Sequence, residues 1–399
     1  MKTLIAIVLI AGVMSAGCFV NISSYTAPDG STIYVGDYYN DQEGPGFGPG
    51  QVQGKLYDAS GNLIDTAGGF LCLGVEPRGL IPFKAWTGPT APPASMTWTV
   101  VDPPMNPLLA TGIDAKVTNT FVAGALTYIV GELTNTSANV YVASSVCVSF
   151  TDAAGRVVRS NWNNGGAWRF NPGDTLPFSV PIDSPPPGSD IHFYTDAQVN
   201  NPGAAVDLPN NALSHAFQQT AQQGDLFVTT GMGEVRNASD KPLYPDTVAT
   251  IRNTSGTLLA SRGDPSDCGV TIAPHASGFV SYTVKARVNA RPKVQLQGFQ
   301  SGTPVYFPKV NDAAFKADGS ARTITVTGTI TNTSAVVLRS ADVCAGGYDV
   351  NGVVRTLGSI RLELPTEGLA AGATTPFKIT MSDGGGVRRV TAIADGFAE

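Results

Sequence analysis

Charge is scarce in this sequence of 399 residues: Asp, Glu, Lys and Arg together make up 14%. The net charge is −6 at pH 7, and no basic cluster occurs. That balance argues against nucleic acid as a partner, because phosphate binding needs grouped Lys and Arg. Histidine is scarcer still. His192, His215 and His275 are the three present, and none has a cysteine or carboxylate at metal-ligand spacing. HExxH, CxxC, G-x-S-x-G and phosphate-loop patterns are missing. The expectation is a non-enzyme with no catalytic residue, no metal and no cofactor. Long apolar runs are missing too. Leu4 to Met14 is one of 11 residues, too short to cross a bilayer, and no other run is long enough.

What is plentiful is Gly (45) and Pro (28), with hydrophobic residues at 42%. This is globular, turn-rich composition rather than disorder. Short Val/Thr/Ile runs between turn residues predict an all-β protein. The chain is long for one core, so more than one domain is expected.

The opening "MKTLIAIVLIAGVMSAGC" reads as an export signal over residues 1–17, with Lys2 as the positive end and Leu4 to Met14 as the apolar stretch. Ser15, Ala16 and Gly17 then lead into Cys18. This resembles the lipobox of bacterial lipoproteins, with Ser15 where the commonest form has Leu. The resemblance implies lipidation at Cys18 and a membrane partner reached through the lipid. Simple secretion, or a retained anchor, are the alternatives. Two or more acyl chains hold a protein firmly on a membrane, whereas one does so marginally.

Repeats organise the rest. "GELTNTSA" at 131–138 returns as "GTITNTSA" at 328–335. A Gly and an Asn four residues apart occur as Gly36 and Asn40, Gly131 and Asn135, Gly233 and Asn237, and Gly328 and Asn332. Each is followed by an Asp/Asn-x-x-Gly element: Asp58–Gly61, Asp152–Gly155, Asn253–Gly256 and Asp349–Gly352. Each then reaches a Phe: Phe83, Phe178, Phe279 and Phe377. Pro precedes that Phe in three copies, and Gly278 replaces it in the third.

The landmarks have physical readings. "ITVTGTITN" alternates as a half-buried strand, with Ile324, Val326, Gly328, Ile330 and Asn332 on one face. A Gly on that face makes room for a large side chain, and the repeat's Phe, reaching over from the opposite sheet, is the expected occupant. Asn followed by Thr or Ser predicts a turn leaving the strand. Asp-x-x-Gly predicts a hairpin with Gly in the positive-φ position. Six or seven short strands per repeat suit an Ig-like sandwich. The expected architecture is a signal peptide (1–17) and four tandem Ig-like β-sandwich units at 18–102, 103–203, 204–302 and 303–399. Pro-rich joints at 102–107, 199–211 and 301–309 predict an extended arrangement.

The repeats are also similar to FxLYD-type domains of secreted and lipoprotein chains of bacteria and archaea. The shared features are the Gly-containing strand ending in Asn-x-Ser and the later Tyr-Asp-x-x-Gly. Leu56-Tyr57-Asp58 matches in the first repeat, with Gly54 where the family name has Phe. The others read Phe150-Thr151-Asp152, Ile251-Arg252-Asn253 and Gly347-Tyr348-Asp349. The resemblance implies an Ig-like sandwich and no established catalytic role.

Cysteines reveal a longer period. Beyond Cys18 there are four: Cys72 and Cys268 hold matching places in repeats one and three, Cys147 and Cys344 in two and four. Gly36 to Gly233 and Gly131 to Gly328 are both steps of 197 residues. The duplicated unit is therefore a pair of repeats. Four cysteines permit three pairings. The duplication favours Cys72–Cys147 with Cys268–Cys344, each stapling neighbouring repeats. Four buried free thiols are the alternative.

Candidate ligand contacts are few. "SNWNNGGAWRF" at 160–170 sets Trp162, Asn163, Asn164 and Trp168 together, as a sugar-stacking loop would. Packing of the same tryptophans into the core is the alternative. Asp37, Asp41 and Glu43 precede a Gly-rich loop without the spacing of a calcium site. Arg262-Gly263-Asp264 reads as a turn. Asn135, Asn237, Asn253 and Asn332 head Asn-x-Ser sequons. The functional expectation is an exported, surface-anchored lipoprotein at the cell surface or periplasmic face. It would present tandem Ig-like domains for binding or act as an envelope spacer. A carbohydrate- or cell-wall-binding module working through the Trp162–Trp168 loop is one alternative. An accessory subunit of an envelope enzyme or transporter is another. An envelope protein or polysaccharide is the expected partner besides the membrane.

Overall fold

A computed structural model describes residues 17–41, 50–89, 91–101, 112–164, 169–199, 205–208, 213–261, 268–300, 304–319, 322–383 and 386–398. Every named element among them is a strand. The chain forms two compact units, one of residues 1–166 and 170–199, the other of residues 167–169 and 200–399. That boundary falls between the second and third repeats, so each unit holds one copy of the 197-residue period.

The first unit contains β1 (Cys18–Thr26), β2 (Thr32–Tyr39), β3 (Gln51–Tyr57), β4 (Leu63–Leu71), β5 (Leu80–Thr87) and β6 (Ser95–Val100). It continues with β7 (Ile113–Ala123), β8 (Leu126–Asn135), β9 (Tyr141–Thr151), β10 (Val157–Asn164), β11 (Thr175–Asp183) and β12 (Asp190–Val199). The second repeat makes two three-stranded antiparallel sheets, β11-β8-β7 and β10-β9-β12. Ile129 and Val180 from one pack with Val146, Val148 and Phe150 from the other. The first repeat uses the same pairings but joins them into one six-stranded sheet, β1-β2-β5-β4-β3-β6. Gly69 allows this join. A Cβ there would lie 2.1 Å from the Lys84 carbonyl oxygen on the adjacent strand.

The second unit contains β13 (Ala205–Asp207), β14 (Leu213–Gln223), β15 (Leu226–Arg236), β16 (Tyr244–Arg252), β17 (Leu258–Ser261), β18 (Ser277–Ala286) and β19 (Lys293–Phe299). It ends with β20 (Lys309–Asp318), β21 (Thr323–Thr331), β22 (Ser340–Tyr348), β23 (Val354–Arg361), β24 (Thr374–Ser382) and β25 (Arg389–Phe397). Its sheets are β14-β15-β18, β13-β19-β16-β17, β20-β21-β24 and β23-β22-β25. In β21 the alternation read from the sequence is realised: Ile324, Val326 and Ile330 are buried, with the threonines between them on the other face.

The repeat glycines do make room for the repeat Phe, but from a different direction than expected. Gly36 stands opposite Phe83, Gly131 opposite Phe178 and Gly328 opposite Phe377, each on the neighbouring strand of the same sheet. A Cβ on Gly131 would meet the Phe178 ring at 2.4 Å, and one on Gly328 would meet Phe377 at 2.8 Å. The Phe crosses its own sheet's Gly before entering the core. The third repeat departs from this register. There Gly233 faces Val280, and Phe279 faces Glu234. Phe279 instead packs on Gly346 of the fourth repeat, where a Cβ would come within 2.4 Å of its ring.

The Asp-x-x-Gly hairpins form as expected. Asp152 Oδ1 accepts the amides of Ala154 and Arg156, and Gly155 donates to the Asp152 carbonyl at φ 76°. Asp349 does the same with Asn351, Val353 and Gly352.

The repeat asparagines do more than start a turn. Asn40, Asn135, Asn237 and Asn332 are all completely buried, at 0% exposure. In the fourth repeat the Asn332 amide donates to the carbonyls of Val336 (2.7 Å) and Leu369 (2.8 Å). Its Oδ1 accepts the amide and hydroxyl of Ser334. Asn135 makes the same four contacts with Asn139, Phe170 and Ser137, and Asn237 with Lys241, Ile272 and Ser239. A buried primary amide is costly unless its donors and acceptor are all matched. Here they are, so Asn-x-Ser is a staple that ties the strand-leaving turn to a distant loop. The sequon at Asn253 differs: it lies in an exposed hairpin and accepts bonds from Ser255 and Thr257.

Candidate functional site

The polar and aromatic residues of interest gather where two repeats meet inside each unit. In the first unit, Cys72 is bonded to Cys147 with the Cα atoms 5.8 Å apart. In the second, Cys268 is bonded to Cys344 with the Cα atoms 5.5 Å apart. Both pairings are the ones favoured by the duplication. Each joins a loop residue of one repeat, Cys72 or Cys268, to the central strand of a sheet in the next, β9 or β22.

Hydrogen bonds and charges reinforce each junction. In the first unit the buried Ser160 hydroxyl donates to the Phe83 carbonyl at 3.1 Å. Tyr25 donates to Asp183 at 2.6 Å, Lys84 approaches Asp183 at 3.7 Å, and the Arg159 guanidinium lies 3.6 Å over the Tyr25 ring. Burial and the bond to Asp183 push the Tyr25 hydroxyl far above the usual phenol range. In the second unit Tyr348 donates to Glu234 at 2.9 Å, and Arg355 lies over Phe217.

Asp395 is a buried titratable group at the second unit's junction. Its Oδ2 accepts the Thr271 amide at 2.8 Å, and Oδ1 has no partner. Asp342 stands opposite it on β22, itself held by Arg361 at 2.9 Å. Burial pushes the Asp395 carboxyl up to about 6, and the Asp342 charge adds to the shift. A folded value above the unfolded one means the stabilisation is complete below about pH 4 and is lost as pH rises through about 6. The second unit should therefore lose about 2 kcal/mol between pH 4 and 7 from this group. Urea denaturation of the parent protein and Asp395→Asn across that range checks it. The variant should lack this component, and parallel curves would show that Asp395 does not titrate in the window.

Only part of the aromatic loop read from the sequence lies among the described residues. Trp168 lies outside the described residues. Asn164 ends β10, and its side chain is likewise outside them. The Asn163 amide donates to the Ser179 carbonyl at 2.6 Å. Trp162 is half-buried against the first repeat's core, with its ring 6.4 Å from Phe70. What remains exposed beside it are Phe70 (39%) and Trp86 (45%), with ring centroids 6.0 Å apart. Trp86 pairs with Gly68, Gly68 with Gln53, and Gln53 with Thr99, across four adjacent strands. Gly68 leaves open space above the sheet, and Gln53 and Thr99 are exposed. The result is a shallow trough with an aromatic wall and a neutral, hydrogen-bonding floor. Trp98, by contrast, faces inward, against Gly54 and Phe83.

Cys18 is exposed and is the first residue of β1. The next residue, Phe19, is packed into the core, edge-on to Phe83 at 5.2 Å and 5.1 Å from Tyr38. Arg262, Gly263 and Asp264, and Glu43, lie outside the described residues. Asp37 is buried and bonded to Asn21 at 2.9 Å. No group of three or more His, Cys, Asp or Glu that could hold a metal occurs among the described residues. No helix among them is long and apolar enough to cross a membrane.

No protein-family model matches the chain. No curated protein matches it. Among solved structures it is similar to the native conformation of E. coli alpha-2-macroglobulin, at 10% identity and a TM-score of 0.14. That match covers 94% of this chain and 28% of the other, and at so low a TM-score it carries no argument.

Proposed function

We propose that this is an exported, lipid-anchored, non-enzymatic protein that displays four Ig-like sandwiches of the FxLYD type as two stapled pairs. One observation carries the reading: Cys18 is the first residue of β1. The strand begins where the lipobox-like sequence would be cut, and Phe19 is already core. The two disulfides support a compartment outside the cytoplasm, where such bonds persist. The junctions are held by structural bonds, a disulfide and side-chain hydrogen bonds in each pair, which supports a role in display or spacing. Cys18→Ser tests the anchor. The variant should move from the membrane fraction to the soluble fraction. Unchanged membrane association, with residues 1–17 still removed, would reject it.

A second reading is favoured by the exposed trough. Trp86 and Phe70 can stack on sugar rings while Gln53 and Thr99 bond hydroxyls, so the first pair would bind a neutral polysaccharide. Titration of the Cys18→Ser protein with soluble neutral glucans should quench Trp fluorescence. Trp86→Ala should weaken that binding at least tenfold. Equal binding by the variant would place the ligand elsewhere.

A further inference from the structure

The anchor proposed for Cys18 has no tether. We infer that the Cys18 end of the first sheet sits directly on the bilayer, with Tyr39 and Leu80 in the headgroup layer beside the acyl chains. The inference rests on the lipoprotein reading and adds to it an orientation and a contact surface.

Three strands end together there. Cys18 stands opposite Tyr39, and Tyr39 opposite Leu80, so the three form one row across β1, β2 and β5. The row cannot swing away from the sheet. Phe19 follows Cys18 immediately, and its ring is held by Tyr38, Phe83 and Trp98. A diacylglyceryl group on the Cys18 sulfur would therefore leave the protein at this row, with no flexible residues to lift the sheet off the membrane.

The chemistry of the row fits that position. Leu80 is 45% exposed, an apolar side chain left in water by the fold. Tyr39 is half-exposed, an amphipathic ring of the kind enriched at the membrane–water boundary. The turn before β5 is tied down: Asn40 accepts no slack there, since its backbone amide donates to Gly79 and its side chain to Glu76. Glu76, Arg78 and Asp41 bring both signs of charge to this end, so the contact suits a zwitterionic surface rather than depending on anionic lipid.

The opposite end of the same sheet supplies the contrast. β2 runs from Tyr39 back to Thr32, and at about 3.4 Å per residue that end lies roughly 24 Å from the row. The 27–31 turn, with Asp29 exposed, is beyond it. A headgroup layer is only about 5–8 Å deep on each side of the hydrocarbon. A seated sheet therefore keeps Asp29 well clear of the lipid, and a tethered one does not distinguish the two ends.

The test uses the full chain, lipidated in a bacterial host and reconstituted into phosphatidylcholine vesicles carrying nitroxide on the headgroups. A fluorescent amino acid replaces Leu80 in one protein and Asp29 in another. Flotation with the vesicles is scored first, and failure to float removes the anchor and the inference together. With flotation intact, quenching at position 80 should exceed that at position 29 at least threefold. Equal quenching at both positions, or stronger quenching at 29, overturns the seating and leaves the anchor standing. A control inserts a flexible Gly-Ser segment of about 20 residues after Cys18. It should float equally well and lose the contrast between the positions, and retention of the full contrast would also overturn the inference.

Discussion

Asn332→Ala should cost the second unit about 3–5 kcal/mol, more than most single substitutions do. The side chain is fully buried and makes four hydrogen bonds, two to carbonyls and two from Ser334. Alanine removes all four and leaves the Val336 and Leu369 carbonyls and the Ser334 amide without those partners. Each buried group left unsatisfied costs about 1–3 kcal/mol. Asn253→Ala removes a superficially similar sequon asparagine from an exposed hairpin and should cost under about 1 kcal/mol. Urea denaturation of both variants compares them directly. Equal, small losses would mean that Asn332 is not a staple.

The second large effect belongs to the disulfides. Cys268 and Cys344 are 76 residues apart, and closing a loop that long stabilises by roughly 4 kcal/mol in the chain-entropy model. Cys72 and Cys147, 75 residues apart, should contribute a similar amount to the first unit. Replacing both cysteines of one pair by serine should therefore shift the urea midpoint of that unit alone. Non-reducing peptide mapping gives the complementary readout, with linked peptides containing 72–147 and 268–344. Four alkylatable thiols in unfolded, unreduced protein would contradict the pairing.

These two effects also mark what could be read from the sequence. The disulfide pairing followed from the matched positions of Cys72 with Cys268 and Cys147 with Cys344, because a duplicated pair must fold twice in the same way. The hairpin aspartates and the alternation of β21 were equally legible, since both depend on residues close in sequence. The partner of each repeat Gly was legible only in part. Spacing named Phe83, Phe178 and Phe377, but periodicity does not encode which strand lies next to which, and the Phe proved to be a neighbour in the same sheet. The third repeat hid its register shift for the same reason. Nothing in "SGFVSYTV" says that Phe279 turns toward the fourth repeat.

The aromatic face was the least legible feature. Trp86 and Phe70 sit in strands whose alternate residues are core, so their outward facing depends on register across β4 and β5. Gly69 carries no local signal of its role either, since the close join of two half-sheets that it permits is made with Lys84 and Ala85 on another strand. Trp162 drew notice because it lies near Trp168 in the sequence. Its packing partner in the fold, Phe70, is in the preceding repeat.

The N-terminal peptide of the mature protein tests the central proposal most directly. The protein is extracted with detergent from its host's membranes, cleaved with trypsin and analysed by mass spectrometry. The account predicts a peptide that begins at Cys18, ends at Lys55 and carries the added mass of a diacylglyceryl group. An unmodified N-terminus at any other residue, or a Cys18 recovered as a free thiol, would contradict it.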